Sequence, residues 1–189
     1  MLFRSIPSAV WLGKVFRGTD LRESGSGNAG ATNAFRVLGT PIGIAVLVLD
    51  MLKGFLAVNL SGLQDWALPG SESWMMVRVG LGGVAVTGHI FPVFAGFRGG
   101  KGVATLAGVG LALHPPAALC ALGVYLLTFL LSRVSSLGSL AAVMSYPLWM
   151  ILVFRAEFRS LWVFSLLVPL LVILTHRSNI RRLLKGGGS

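Results

Sequence analysis

Apolar residues recur along the chain in seven blocks, at residues 2–16, 37–60, 75–95, 102–114, 117–131, 136–154 and 160–175, separated by short polar or glycine-rich stretches. A helix needs about 20 apolar residues to cross the hydrocarbon core of a bilayer. The pattern therefore predicts an all-α, polytopic membrane protein with about seven transmembrane helices. The first, fourth and fifth blocks are short, which predicts tilted or partly inserted helices. Arg4 and the short apolar stretch of the first block resemble a signal peptide, but no small-residue cleavage site follows and the chain runs directly into Gly13-Lys14-Val15-Phe16-Arg17, so the block is read as a helix.

Composition supports the same class: 54% of the 189 residues are hydrophobic and 12% are charged, with a mean hydropathy of +0.81. No repeat or second domain breaks the pattern, so residues 1–189 read as a single transmembrane domain, with 186–189 a flexible tail. Cys120, the single cysteine, excludes an internal disulfide and any cysteine-based metal motif.

The net charge of +10 is unevenly placed. Lys14, Arg17, Arg22 and Arg36 precede the second block, Arg98 and Lys101 the fourth, Arg133 the sixth, and Arg177, Arg181, Arg182 and Lys185 follow the last. The 61–74 loop holds Asp65 and Glu72 without a base. Seven crossings with the N-terminus outside and the C-terminus in the cytoplasm put these basic segments inside. Only Arg155 and Arg159, flanking Glu157, dissent, which leaves five or six spans open. Nucleic acid is not an expected partner.

Three polar clusters share the expected cytoplasmic face. The first, residues 24–36, reads Ser-Gly-Ser-Gly-Asn-Ala-Gly-Ala-Thr-Asn-Ala-Phe-Arg. Gly27 and Gly30 let amides turn inward on an anion, Ser26, Asn28, Thr32 and Asn33 add hydrogen-bond partners, and Arg36 offers a planar fork that fits phosphate. The competing reading is a flexible Gly/Ser linker. The second cluster surrounds His89 and runs through Gly99-Gly100-Lys101-Gly102 at the start of a helix, where backbone, ammonium and helix dipole all favour an anion. It is not a Walker A loop, because Ala95 stands for the opening glycine and Gly102 for the final hydroxyl residue. The competing reading is a positive-inside anchor with turn glycines. The third runs from His176 to Lys185, with His176 and Asn179 three positions apart on one helical face; a basic tail attracted to anionic lipid is the alternative.

Asp50 and Lys53 lie three residues apart inside the second block and read first as a structural ion pair, with Lys53 an extension of the anion site if it lies near the cytoplasmic mouth. His89 reads either as a buried, hydrogen-bonded histidine or as a site residue. The six acids avoid all three motif cores, so a two-metal site is not expected, and neither a metal nor a cofactor is assigned. Five positions after each histidine stand Phe94, Leu119 and Arg181, which removes the His-x4-Asp dyad of soluble-donor glycerolipid acyltransferases. A cationic, amide-rich site poor in general bases suits a substrate already activated and anionic. A transporter for phosphorylated metabolites would also gather cations at a bundle mouth, but no inverted repeat or polar path across the helices is visible. A non-catalytic lipid-binding protein leaves the first cluster unexplained.

Together the three clusters resemble those of the bacterial membrane acyl-phosphate:glycerol-3-phosphate acyltransferases, the PlsY family. The resemblance runs from Ser5-Ile6-Pro7 to Arg182-Leu183-Leu184. It implies a seven-helix enzyme of the bacterial plasma (inner) membrane with its active site facing the cytoplasm. The implied reaction moves a fatty acyl group from acyl phosphate to the 1-hydroxyl of glycerol 3-phosphate. Lysophosphatidic acid and inorganic phosphate are the implied products, in the first acylation of phospholipid synthesis, with membrane lipid as surroundings and no oligomeric state implied. Carried over residue by residue, Ser26, Arg36, Lys101, His176 and Asn179 would hold glycerol 3-phosphate, and Gly27, Asn28, Thr32 and Asn33 the acyl phosphate. Gly30, Lys53, His89, Gly99 and Gly100 complete the expected substrate-binding set. The chain departs from the family in having Ser24 where a histidine is common, and in lacking a C-terminal glutamate after its last motif.

Overall fold

The computed structural model describes residues 7–63, 65 and 67–185, and among the described residues every regular element is helical. The expected tail at 186–189 and the start of the first apolar block lie outside them. Contacts divide the chain into two compact units, one of Met1–Gln64 with Gly80–Ala112 and one of Asp65–Val79 with Leu113–Ser189.

The first unit opens with α1 (Ser8–Arg17), which stops at Gly18 in a left-handed φ of 60°, the Gly18 N–H bonding the Lys14 carbonyl and the Thr19 N–H the Gly13 carbonyl. A 3-10 turn (Leu21–Glu23) leads to the glycine-rich stretch and then to α2 (Ala31–Leu38) and α3 (Thr40–Asn59). Helix α2 was not expected, because its small and polar residues read as part of a cradle. It forms because Ala34 and Leu38, one turn apart, bury with Ala9, Leu21 and Val46 in one apolar cluster. Gly39 (φ 87°) then breaks the chain, and Pro41 starts α3 in the first turn, where a missing N–H costs nothing.

Helix α4 (Glu72–Ile90) enters this unit from Gly80 onward, and α5 (Val103–Leu113) follows a loop containing a 3-10 turn at Val93–Ala95. Glycines set the spacing here. A Cβ at Gly54 would overlap the Thr105 carbonyl oxygen, one at Gly108 the Met51 carbonyl oxygen, and one at Gly82 would lie 2.6 Å from Val109. Helix backbones approach this closely only where a side chain is absent.

The second unit is built on the hairpin of α6 (Pro115–Ser132) and α7 (Ser135–Leu148), turned at Arg133 (φ 57°). A Cβ at Gly138 would lie 3.0 Å from the Tyr125 carbonyl oxygen, and the Tyr125 hydroxyl lies 3.1 Å from the Ser135 hydroxyl. Pro147 cannot supply an N–H inside α7, and the helix passes into a π-helical turn at Trp149–Val153. Helix α8 (Arg159–Thr175) begins on the carboxylate of Glu72, which accepts the N–H groups of Arg159 (3.0 Å) and Ser160 (2.7 Å). This cap satisfies two amides that a helix start leaves open. At His176 the chain bends by 66° into α9 (Arg177–Leu184).

Four stretches are long and apolar enough to cross a membrane: Thr40–Leu63, Glu72–Ala95, Pro115–Ser132 and Ser135–Val153, with α8 and α9 together as a fifth if they form one bent span. Leu126, Leu127, Leu130, Leu166 and Leu170 all face outward, an arrangement suited to lipid rather than water. Two differences from the seven expected blocks are physical. Block 117–131 gains Pro115, Pro116 and Ser132, because prolines are tolerated in a first turn, and so reaches 18 residues. Block 102–114 yields the 11 residues of α5, about 16 Å of helix, because Gly102 (φ 83°) turns the chain before it and His114 caps the next helix after it.

Candidate active site

The first cluster folds as a turn held by one buried amide. Asn33, only 2% exposed, sits in the first turn of α2 and reaches back into the preceding loop. Its Nδ2 donates to the carbonyls of Leu21 (3.0 Å) and Ser24 (3.0 Å), and its Oδ1 accepts the Ser26 N–H at 2.9 Å. Expected as a ligand of the acyl phosphate, Asn33 is committed to shaping the loop that carries Ser26. Gly25 (φ 62°) is required on two counts, since a Cβ there would also overlap the Asn33 side-chain oxygen. Gly27 (φ 70°) closes the turn through its N–H to the Ser24 carbonyl at 3.1 Å. Gly30 caps α2, with Asn28 half-buried beside it.

Around this turn the polar groups face outward. Ser26, Thr32 and Arg36 are exposed, the last two one turn apart on the same face of α2. Arg36 has no ion pair among the described residues.

Arg22 is placed quite differently. Its Nε and Nη2 donate to the two carboxylate oxygens of Asp20 at 2.9 and 2.6 Å, and its Nη1 donates to the Ala95 carbonyl at 2.7 Å. Asp20 also accepts the Arg22 N–H at 3.0 Å, and Lys14 lies 3.6 Å away. The Arg22 guanidinium holds the Asp20 carboxyl well below the usual carboxylate range. Such a group stabilises the fold above its unfolded titration range, and that contribution fades as pH falls through the lowered folded value. Sequence reading placed Arg22 among the charges that set topology. The Asp-x-Arg spacing, which lets an aspartate accept from the backbone two residues on, was the available signal.

The second cluster packs directly against the first. The amides of Gly99 and Gly100 donate to the carbonyls of Ile90 (3.2 Å) and His89 (3.3 Å), so they terminate α4 rather than stand open to an anion. A Cβ at Gly100 would fall on His89 Nε2 and within 3.1 Å of the Ala29 carbonyl. Ala29 belongs to the first cluster, so the two loops meet backbone to backbone. Lys101, half-buried, follows immediately, and Gly102 (φ 83°) turns the chain into α5.

Beneath this junction lies a buried polar chain. Asp50 Oδ1 accepts the Ser8 hydroxyl at 2.5 Å and the Lys53 ammonium at 2.7 Å, and Lys53 Nζ lies 2.6 Å from His89 Nδ1. The ion pair expected from spacing is therefore present. Because an ammonium can only donate, His89 Nδ1 accepts, and the proton of the neutral ring sits on Nε2, toward Gly100. Lys53 and His89, expected to bind substrate, are here bound to each other and to Asp50.

The third cluster lies in the second unit. His176 is 2% exposed and stands at the α8–α9 bend, with Nδ1 2.9 Å from the Val172 carbonyl. A carbonyl only accepts, so Nδ1 carries the proton and Nε2 is the basic nitrogen of the neutral ring. Asn179, 8% exposed, follows on the buried side of α9 while Arg177, Arg181 and Arg182 face outward. Among the described residues no group of three His, Cys, Asp or Glu side chains is placed to hold a metal ion.

Residues 1–186 match the family model described as glycerol-3-phosphate acyltransferase. The glycerol-3-phosphate acyltransferase of Trichlorobacter lovleyi is 46% identical over 185 residues, covering 98% of this chain and 90% of the relative. That of Listeria welshimeri is 43% identical, covering 96% and 88%. A crystal structure of PlsY, an integral membrane glycerol 3-phosphate acyltransferase in its glycerol 3-phosphate form, superposes with a TM-score of 0.84 at 37% identity over 99% of this chain and 91% of that one. The lysophosphatidic acid form superposes with a TM-score of 0.82 at 34% identity over 100% and 91%. With motif, fold and near-complete coverage in agreement, the chain belongs to the glycerol-3-phosphate acyltransferase family of integral membrane PlsY enzymes.

Proposed function

We propose that this acyltransferase uses a fatty acyl phosphate as donor and glycerol 3-phosphate as acceptor, releasing lysophosphatidic acid and inorganic phosphate, and that residues 1–189 act as one enzyme. The observation that carries this is the meeting of two anion-suited loops, one bearing Ser26, Thr32 and Arg36 and the other Lys101, at Ala29 and Gly100. An acyl phosphate is a mixed anhydride with a good leaving group, so orienting two mutually repelling anions is the larger task. Donors aimed at the carbonyl oxygen and departing phosphate then stabilise the developing charge.

The acceptor hydroxyl oxygen bonds to the acyl carbon, and the bond from that carbon to the bridging phosphate oxygen breaks, leaving its electron pair on phosphate. The hydroxyl proton passes to a phosphate oxygen. Ser26, Arg36 and Lys101 orient the acceptor. Gly27, Asn28, Gly30 and Thr32 surround the donor, and Gly99, Gly100, Lys53 and His89 support the second loop from below. His176 and Asn179 enter through the motif they form, His176 positioning the acceptor rather than taking its proton.

Purified protein given palmitoyl phosphate and glycerol 3-phosphate should release phosphate only when both are present; no release would favour transport or binding alone. His176→Ala and Asn179→Ala should lose kcat/KM to similar extents. A general base contributes on the order of 10²–10⁴ in rate, so a collapse of kcat of that size for the histidine alone would overturn the positioning role.

We also propose seven crossings, with the N-terminus outside and the active site facing the cytoplasm of a bacterial plasma membrane. The Glu72 cap on Arg159 and Ser160 supports this, because it keeps the start of α4 and the start of α8 on one side. That needs an even number of crossings between them, and α4, α6 and α7 make three, so α5 supplies the fourth. Arg159, one of the two dissenting bases, then lies outside beside Glu72. A reporter fused after residue 157 should signal from outside the cytoplasm; a cytoplasmic signal would refute the arrangement.

A further inference from the structure

We infer that Asp20 and Arg22 form a strut that holds the Ser26 turn in register with the Lys101 loop, and that Arg22 is a positioning residue for acyl transfer rather than a ligand of either phosphate. The inference rests on the site reading above and adds two residues to it.

Three contacts fix the guanidinium. Two parallel bonds to both oxygens of Asp20 clamp its plane, and the remaining arm reaches across 73 residues of sequence to the Ala95 carbonyl at 2.7 Å. Asp20 is itself held, because it caps the 3-10 turn by accepting the Arg22 N–H. Only a planar fork can present donors in both directions at once. The far end of the strut is equally fixed: Ala95 is 6% exposed, its N–H is bonded to the Pro92 carbonyl, and the loop beyond it returns to cap α4 through Gly99 and Gly100.

The near end carries the Ser26 turn. The Leu21 carbonyl, one residue before Arg22, accepts from Asn33, and a Cβ at Gly27 would lie 3.4 Å from the Arg22 carbonyl. Displacing Arg22 therefore moves the turn bearing Ser26 relative to the loop bearing Lys101. Arg36 has no ion pair among the described residues and is exposed, so the two arginines of this segment divide the work: one builds the site and the other faces it.

The test is a double-mutant cycle on the full-length enzyme in detergent or nanodiscs, read both by steady-state kinetics and by amide hydrogen exchange. Asp20→Asn and Arg22→Lys should each speed exchange at residues 24–30 and 92–101 together, leaving α6 and α7 unchanged. Each should lower kcat/KM by about 10- to 100-fold, and the double variant should lose little more than either single one. Lys14→Ala, which removes only the outer partner of Asp20, should match wild type. Wild-type exchange with wild-type kinetics in Asp20→Asn would overturn the strut. Loss in Arg22→Lys with an intact Asp20→Asn would make Arg22 a direct phosphate ligand and overturn it as well. If Arg22→Lys fails to insert, Asp20→Asn carries the test, because it keeps the side-chain shape and removes the charge. The exchange readout depends on no substrate, so it separates failure of the strut from failure of the proposed reaction.

Discussion

Arg36→Ala and Lys101→Ala are each expected to lose about 10²–10³-fold in kcat/KM while the protein remains inserted and its melting temperature stays within a few degrees. Truncating one member of a desolvated charge pair costs about 2–5 kcal/mol, and 1.36 kcal/mol is tenfold in rate. The small stability effect follows for Arg36 from its setting: it is exposed, on the outer face of α2, with no ion pair among the described residues. Arg36→Lys should recover only part of the loss, because an ammonium cannot bridge two phosphate oxygens as a planar fork does. Single-turnover assays alongside thermal unfolding would check this. Unchanged turnover in Arg36→Ala or Lys101→Ala would remove that residue from the site, and parallel loss of activity and stability would make it structural.

How far the fold was legible depended on whether the signal was local. Blocks of apolar residues predict helices directly, and α3, α4, α6 and α7 emerge where that pattern puts them. Helix α2 was hidden because its residues look like a loop; what makes it helical is the burial of Ala34 and Leu38 against α1 and α3. The short helix α5 falls inside the short block at 102–114, while the use of Gly99 and Gly100 amides in ending α4 depends on contacts that composition does not mark. Tertiary context overrides local preference in α2.

The same distinction applies to the site. Glycines and cations placed together in an oily chain are the local signal from which the proposed anion site is read. Which polar residues touch ligand and which hold the loop is set by long-range partners. Asn33 and Arg22 carry the same chemical groups as Asn28 and Arg36, yet the first pair is spent on carbonyls of the loop itself and of Ala95. Lys53 and His89 illustrate the point at depth, where each answers the other and Asp50.

Gly100→Ala should lower kcat by about 100-fold by wedging the two loops of the proposed site apart. The added carbon would fall on His89 Nε2, 2.9 Å from His89 Cε1 and 3.1 Å from the Ala29 carbonyl. Neither neighbour yields easily: the imidazole is pinned by Lys53 at 2.6 Å, and Ala29 is backbone, 3% exposed. Overpacking of this kind costs about 1–3 kcal/mol of stability, but its larger effect is geometric, because it drives the Lys101 loop away from the Ser26 turn. A displacement of about 1 Å between groups that orient reactants is worth on the order of 100-fold in rate. Gly123→Ala, on α6 with nothing within 4 Å of its added carbon, should be kinetically silent. In a His89→Ala background the space opens, and Gly100→Ala should then add little to the loss already caused by removing the imidazole. Steady-state kinetics on the four proteins of that cycle decide the matter, and additive losses would mean that the methyl group acts somewhere other than the contact between these two loops.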